Sequence, residues 1–466
     1  MAAAAAPLEL DDIQGLVARG YSALKSACFL LLTVEDPTAA RPALGRLALL
    51  ATNGSAESPE SALNLAFTSG GLRRLGLDTG ELDGFSKEFA SGMADPHRSR
   101  LLGDVGENAP SRWRWGGPDC PPADVLVLLY ARDDGLLGRL EAHVRQDALG
   151  DGLTEAARLG TSSLTDREPF GFRDGISQPL VEGLSKVAVG DDAVKAGEFV
   201  LGYTNEYGLL TDRPLLPAWY DATGLLPRAP DGGGAADFGR NGSYLVFRQL
   251  RQDVAGFHRY LEEVTRRPDG AADPEAREVL AARMVGRWPS GAPLVHAPLR
   301  DDPSLGSDND FGYFATDPHG LSCPLGAHIR RANPRDSLDP QPGSAQSVAI
   351  GRRHRILRRG RAYGDDSGDT GLHFLCLGAN ISRQFEFIQH TWLNNAHFNG
   401  LYDGPDPVVA SCQNHDATFT VQARPVRTRY RDLPQFVSVR GGAYFFLPGL
   451  QALRYLCEGE RAGGHR

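Results

Sequence analysis

Short apolar runs of strand length alternate with segments of helical periodicity along most of this chain. In the first half, the runs are Cys28–Val34, Leu63–Thr68 and Val125–Tyr130. A helical pattern follows over Leu136–Val144, where apolar residues recur every three or four positions. Because each strand and helix must bury an apolar face against another element, this rhythm favours a layered α+β or α/β structure.

The second half repeats the same rhythm. Its apolar runs and helical patterns are Ser243–Leu250, Val254–Val264, Leu372–Gly378, Phe385–Trp392, Val437–Val439, Tyr444–Leu447 and Leu450–Leu456. The two halves contain similar numbers of strands, which indicates an internal duplication, although no repeat is visible residue by residue.

A stretch rich in proline and glycine separates the halves. Residues 213–242 include the triplet Gly232–Gly234, and such a composition predicts a linker or long surface loop without regular structure. We therefore predict an N-terminal domain at 1–212 and a C-terminal domain at 243–466.

Composition restricts the classes of function. The 466 residues carry a net charge of -9, which argues against a general nucleic-acid surface. No run approaches the roughly 20 apolar residues that a membrane span needs. The N-terminus has neither a basic segment nor a long apolar one, which predicts a cytoplasmic protein. The six cysteines form no Cys-x-x-Cys pair, so neither a zinc or iron–sulfur site nor a disulfide framework is supported.

The stretch 323–364 contains the most informative histidine. His328 lies between small and apolar neighbours, and Arg330 and Arg331 follow it. An imidazole in such a setting suits the axial ligand of a haem, and the arginines suit the anionic propionates. Taken alone, His328 is more typical of a buried structural histidine, and one of the two arginines fits a solvated surface position equally well.

A second motif lies far from His328 in the sequence. Residues 168–179 read Glu-Pro-Phe-Gly-Phe-Arg-Asp-Gly-Ile-Ser-Gln-Pro and contain the pattern Gly-x-x-Asp-Gly at 171–175. Asp174 is flanked by glycines that let the backbone approach a flat cofactor closely. Asp-Gly is also a common turn pair, so the motif by itself does not distinguish a reactive carboxylate from a turn.

Together with His328 and the arginine-rich segment 352–361, these motifs resemble the dye-decolorising peroxidase family of haem enzymes. Further segments that resemble family signatures are 10–15, 199–203, 240–249 and 286–291. The resemblance therefore spans nearly the whole chain, and the longer members of the family are the most similar.

The resemblance implies an α+β fold of two ferredoxin-like domains whose antiparallel sheets face each other, with haem b held mainly by the C-terminal domain. It also implies that Leu372 and Phe374 form an apolar wall over the haem. A carboxylate after the arginine-rich strand is expected to bind the second nitrogen of His328. Asp406 is the preferred residue and Asp403 the rival.

The chemistry requires a proton acceptor and a fixed cation beside the peroxide. Asp174 is the candidate acid–base group. The resemblance places Arg358 at the position of the charge-stabilising arginine, and a shift of one residue would make it Arg359. We therefore expect Asp174 and Arg358 to be catalytic.

The resemblance thus implies a peroxidase that uses hydrogen peroxide to oxidise dyes, phenols or other one-electron donors by way of a ferryl intermediate. The alternative is a haem-binding protein that handles haem, for example by releasing its iron, with little turnover. We predict no nucleic-acid or membrane partner, and a homo-oligomer stays open.

Overall fold

The computed structural model describes residues 7–184, 193–364, 368–411 and 417–458. Residues 1–6, on which the cytoplasmic prediction depends, and Cys412 lie outside the described residues. The α-helices are α1 (Gly15–Ala18), α2 (Pro37–Ala48), α3 (Ser69–Arg74), α4 (Thr79–Leu82), α5 (Lys87–Ser91), α6 (Pro96–Leu102), α7 (Asp134–Ala148), α8 (Val254–Val264), α9 (Pro274–Val285), α10 (His328–Ala332), α11 (Ala345–Arg352) and α12 (Leu450–Glu458).

The strands cover the apolar runs that the sequence shows. They are β1 (Ser26–Val34), β2 (Ser61–Phe67), β3 (Val125–Ala131), β4 (Leu153–Gly160), β5 (Leu180–Val181), β6 (Ala193–Val194), β7 (Leu215–Leu216), β8 (Ala236–Asp237), β9 (Ser243–Gln252), β10 (Leu357–Arg358), β11 (Arg361–Gly364), β12 (Thr370–Gly378), β13 (Phe419–Val421), β14 (Thr428–Tyr430) and β15 (Val437–Leu447).

Within the described ranges, nine strands from both halves join in one antiparallel sheet. Its order is β10-β12-β9-β15-β2-β3-β1-β4, and β11 also pairs with β12. The halves meet at the pair Phe446 and Phe67, the single register contact between β15 and β2. Because side chains alternate across a strand, each half contributes one face to the inside of the curved sheet.

The inner faces of the two halves pack against each other. Phe29 on β1 and Phe247 on β9 belong to one buried cluster, and their ring centroids lie 5.6 Å apart. Leu128 on β3 and Leu375 on β12 lie in the same cluster. The predicted α+β fold is confirmed, with the difference that the two facing antiparallel sheets are joined at one edge into a single sheet.

Helices cover the outer face of the sheet. Helix α12 packs on α2 across the length of the chain, where Arg41 donates from Nε to the carbonyl oxygen of Leu456 at 3.0 Å. Leu44 of α2 and Leu453 of α12 share one buried cluster with Leu65 of β2. Helix α12 therefore completes the core of the first half. The division into domains at 1–212 and 243–466 stays a prediction.

The segment 213–242 is more ordered than its composition predicts. It contains the antiparallel pair β7 and β8, and Arg213 forms a buried ion pair with Asp237 at 2.6 Å. Phe238 is fully buried. The expectation of a surface loop without regular structure is therefore corrected, because a buried ion pair closes the segment on itself and apolar side chains attach it to the core.

The predicted helix at Phe385–Trp392 is present in a wider form. Two adjoining π-helical segments cover Ser382–Glu386 and Ile388–Leu393. Such segments are rare and often lie at functional sites. Within the described ranges, none of the helices has the length and apolar character needed to cross a membrane.

Candidate active site

One cavity collects most of the predicted site residues. It lies between the sheet face of β9, β12 and β15, helix α10, the π-helical segments and the loop that carries Asp174. His328, Asp174, Arg358, Leu372 and Phe374 all contribute to its lining. Residues from both halves of the chain therefore meet at one site.

His328 is the first residue of α10, and its ring is held from behind. Its Nδ1 lies 2.9 Å from Oδ2 of Asp406, while the other oxygen of Asp406 accepts the N–H groups of Val408 and Val409, each at 2.9 Å. Asp406 is buried, whereas the side chain of His328 is 29% exposed because it lines the cavity. This arrangement leaves Nε2 of His328 as the nitrogen for a metal.

Electrostatics within this pair favour the charged partners. Burial opposes charge on both groups, yet the Asp406 carboxylate raises the pKa of His328 above its usual value. Burial likewise opposes ionisation of Asp406, but the facing imidazole and the Arg331 guanidinium lower the pKa of that carboxyl group. A carboxylate on one ring nitrogen makes the other a stronger ligand.

The structure distinguishes the two candidate carboxylates. Asp406 contacts His328, whereas Asp403 is exposed and has a positive φ of 54°. The main-chain carbonyl of Asp403 accepts hydrogen bonds from both the N–H and the hydroxyl of Thr418. Asp403 therefore serves a turn, and Asp406 is the residue that contacts the histidine.

Asp174 lies on a tight loop in the Gly-x-x-Asp-Gly motif. Gly171 and Gly175 have φ values of 98° and 80°, which side chains other than glycine rarely adopt. The main-chain N–H of Asp174 donates to the carbonyl oxygen of Asp166 at 2.9 Å. Asp174 Oδ1 lies 3.1 Å from Nη1 of Arg358, so the loop brings a carboxylate against a guanidinium 184 positions away in the chain.

The two candidate arginines point in opposite directions from β10 and its following residue. Arg358 lines the cavity, whereas Arg359 donates to the carbonyl oxygens of Leu16 and Val17, both at 2.8 Å. Successive side chains of a strand alternate between faces, which explains the difference. Arg358, not Arg359, is the arginine beside Asp174.

Leu372 and Phe374 both face the cavity from β12, while His373 and Leu375 face the inner core. The alternation that the sequence shows therefore places the two predicted wall residues where a flat apolar surface is needed.

Arg330 and Arg331 do not reach the cavity, which corrects their expected role as propionate ligands. Arg330 forms an ion pair with Asp317 at 3.1 Å and donates to the carbonyl oxygen of Cys323 at 2.8 Å. Arg331 donates to main-chain carbonyls, including that of Trp392 at 2.6 Å. The ion pair with Asp317 and the main-chain carbonyls therefore hold both guanidinium groups away from the cavity.

Several cavity residues had no recognised signal in the sequence. Glu168 is largely buried, and its carboxylate accepts the N–H groups of Phe170 at 3.0 Å and Phe172 at 2.9 Å. Arg248 forms a buried ion pair with Asp104. The period-two pattern of β9 could have indicated Arg248, since it shares a strand face with Leu250. Glu168 also accepts a hydrogen bond from Nε2 of Gln252 at 2.7 Å, and contacts to the main chain and to a distant side chain leave no local pattern of residue types.

The donor set fits a haem. It offers one imidazole nitrogen backed by a carboxylate, the arrangement that metal-binding histidines use. Leu250, Leu372 and Phe374 provide an apolar wall along the sheet. Arg355 lines the same cavity and is a cation of the kind that carboxylates of a haem require.

Comparisons with known proteins agree with this geometry. No protein-family model matches the chain. It is 30% identical over 478 residues to the dye-decolorizing peroxidase of Exidia glandulosa, covering 97% of this chain and 87% of that protein. It is 32% identical over 497 residues to Peroxidase 2 of Mycetinis scorodonius, covering 97% and 88%.

Solved structures show the same fold. The structure of a dye-decolorizing peroxidase in complex with 2,6-dimethoxyphenol matches with a TM-score of 0.76 at 27% identity, over 96% of this chain and 98% of that one. Sequence and structure agree over nearly the full length of both proteins, and this chain belongs to the dye-decolorizing peroxidase family of haem enzymes.

Proposed function

We propose that this protein is a haem b peroxidase that uses hydrogen peroxide to oxidise dyes, phenols and other one-electron donors. The observation that carries the proposal is that His328, Asp174 and Arg358 line one cavity, with Asp406 on the remaining ring nitrogen of His328. The relative that is solved with 2,6-dimethoxyphenol supports phenols as donors.

The residues of this chain divide the work between holding the cofactor and moving a proton. His328 would bind the iron through Nε2, and Asp406 would orient the ring and increase its donor strength. Bound haem supplies the iron centre at which the O–O bond of peroxide is broken.

Asp174 is the group that moves the proton. Its carboxylate takes the proton from one oxygen of hydrogen peroxide and returns it to the other, so that water can leave. Its side chain is 42% exposed, which is compatible with the entry of a small substrate.

Arg358 stabilises the negative charge that develops on the departing oxygen. Its Nη1 lies 3.1 Å from Asp174 Oδ1, so the cation is held beside the carboxylate. A guanidinium stays charged in a largely apolar cavity, where a lysine ammonium loses its proton more easily.

One absorption experiment tests the proposal. The holoprotein is reconstituted with haem, and its Soret band is recorded before and after one equivalent of peroxide, then with an anthraquinone dye and excess peroxide. We expect a rapid shift of the band and catalytic bleaching of the dye. His328→Ala is the control and is expected to retain no stoichiometric haem. A Soret band that does not respond to peroxide contradicts the proposal, and free protoporphyrin identifies iron release instead.

Two finer statements remain predictions from the sequence. A cytoplasmic location is tested by cell fractionation, and assembly into a homo-oligomer is tested by light scattering on the purified holoprotein.

A further inference from the structure

The side chain of Gln178 binds the main chain of Arg358. Its Nε2 donates to the carbonyl oxygen of Arg358 at 3.1 Å, and its Oε1 accepts the main-chain N–H of Arg358 at 3.1 Å. One amide group therefore satisfies both main-chain groups of a single residue, as a partner residue does in an antiparallel strand pair.

Strand β10 needs such a partner because it is short. It consists of Leu357 and Arg358, which pair with Leu377 and Cys376 of β12. That pairing occupies one edge of β10, and the Gln178 amide meets the main chain of Arg358 at the other. Two hydrogen bonds are a large share of the contacts that hold a two-residue strand.

The same loop contacts Arg358 at both ends of the residue. Asp174 binds the guanidinium at 3.1 Å, and Gln178, four residues later, binds the backbone. The main-chain position decides where a long side chain can place its charged end. Gln178 therefore fixes the backbone from which the Arg358 side chain extends, relative to the Asp174 carboxylate that the guanidinium contacts.

We infer that Gln178 is a positioning residue that holds Arg358 at the distance from Asp174 that the reaction with peroxide requires. The inference rests on the proposed function. Gln178 is half-buried, and its side chain acts through the backbone of Arg358 rather than on peroxide itself.

The chain offers a matched control in Gln14. Its Nε2 donates to the carbonyl oxygen of Leu65 at 2.8 Å, and its Oε1 accepts the N–H of Leu65 at 2.9 Å. This is the same two-point contact between a glutamine and one strand residue, but neither Gln14 nor Leu65 belongs to the cavity lining.

The test is a double-mutant cycle on the haem-loaded protein. The rate constant for the reaction with peroxide is measured by stopped-flow absorption in Gln178→Leu, Arg358→Leu and the double variant. We expect Gln178→Leu to lower the rate constant roughly tenfold or more, the scale that misplacement of a reacting group produces. In the Arg358→Leu background, Gln178→Leu is expected to change the rate constant by less than about twofold, because the positioned group is gone.

The control separates positioning from general damage to the fold. Gln14→Leu is expected to lower the melting temperature while the rate constant per bound haem stays within about twofold of wild type. The ratio of haem to protein in Gln178→Leu should equal that of wild type, since Gln178 does not contact His328.

Three results overturn the inference: an unchanged rate constant in Gln178→Leu, an equal loss in both backgrounds, or loss of haem from Gln178→Leu. If Gln178→Leu does not fold, Gln178→Glu carries the same cycle, because it keeps the volume and the acceptor but removes the N–H donor. A wild-type protein that does not react with peroxide refutes the proposed function instead, so the two failures are distinguishable.

Discussion

Asp406 holds His328 from outside the cavity, with one carboxylate oxygen 2.9 Å from the imidazole Nδ1 and the other bound to two main-chain N–H groups. The two main-chain N–H groups thus fix the position of the carboxylate that contacts the ring. The direction of the ring is therefore set by a carboxylate that does not belong to the cavity lining.

Removing the charge of Asp406 should weaken His328 as a ligand. We expect Asp406→Asn to slow the reaction with peroxide by about 10- to 100-fold, because an uncharged amide oxygen withdraws support from the imidazole. The reduction potential of the haem should rise, which a spectroelectrochemical titration measures. Asp403→Asn is the control, and the same changes in that variant would contradict the assignment of Asp406.

Replacing Asp174 with asparagine, an uncharged residue of the same shape, tests its acid–base role. Asp174→Asn keeps the shape of the side chain but cannot take up the proton, so the peroxide rate constant is expected to fall by about 10²–10⁴-fold. Stopped-flow absorption measures it at constant haem content. A rate near that of wild type would remove Asp174 from the mechanism.

Removing the guanidinium of Arg358 should slow the reaction with peroxide, whereas removing that of Arg359 should not. We expect Arg358→Leu to lower the peroxide rate constant by about 10²–10³-fold, the usual effect of deleting one electrostatic donor. Arg359→Leu should leave the rate constant per haem close to wild type, since that side chain binds Leu16 and Val17 instead. The reverse order of effects would show that Arg359 is the reactive cation.

Arg330 should matter for stability rather than for the cofactor. Arg330→Leu leaves the buried carboxylate of Asp317 without its cation, which is expected to lower the free energy of unfolding by about 3–5 kcal/mol. Denaturant unfolding measures this loss, and a haem titration of the folded variant should give the wild-type affinity. A weakened haem affinity at full stability would restore Arg330 as a cofactor ligand.

Glu168 should make the stability of the protein depend on pH. Burial raises the pKa of Glu168 above its ordinary value of 4.5, against the hydrogen bonds from Phe170 and Phe172 that lower it. The folded state therefore binds this proton more tightly, and stability is lost as pH rises from 4.5 through the folded pKa. Glu168→Gln cannot titrate, so its free energy of unfolding relative to wild type should increase across that window.

Denaturant unfolding at a series of pH values measures both proteins. A difference between them that stays constant with pH would show that Glu168 keeps its ordinary proton affinity in the folded state.

The sequence predicts the core of the site well where residue type carries the signal. His328 and Asp174 could be found because their two motifs occur together and resemble those of the dye-decolorising peroxidase family, although neither motif is decisive alone. The choice of Asp406 over Asp403 needed three-dimensional information, since three residues of an irregular loop decide which carboxylate faces the ring. The structure shows that the turn at Asp403 directs its side chain to solvent.

The sequence predicts least well the direction in which a side chain points from its helix or strand. Arg330 and Arg331 are expected at the cofactor because they follow His328, yet an ion pair and main-chain carbonyls bind both guanidinium groups away from the cavity. Gln178 could not be recognised at all, because its partner is a backbone group and leaves no trace in residue type. The order within 213–242 was missed for a related reason, since the ion pair of Arg213 and Asp237 spans the intervening glycines.

The packing of α12 on α2 has a consequence for synthesis on the ribosome. Until Leu450–Glu458 has emerged, the first half lacks the helix that covers Leu44, and its apolar surface stays open to chaperones or to other nascent chains.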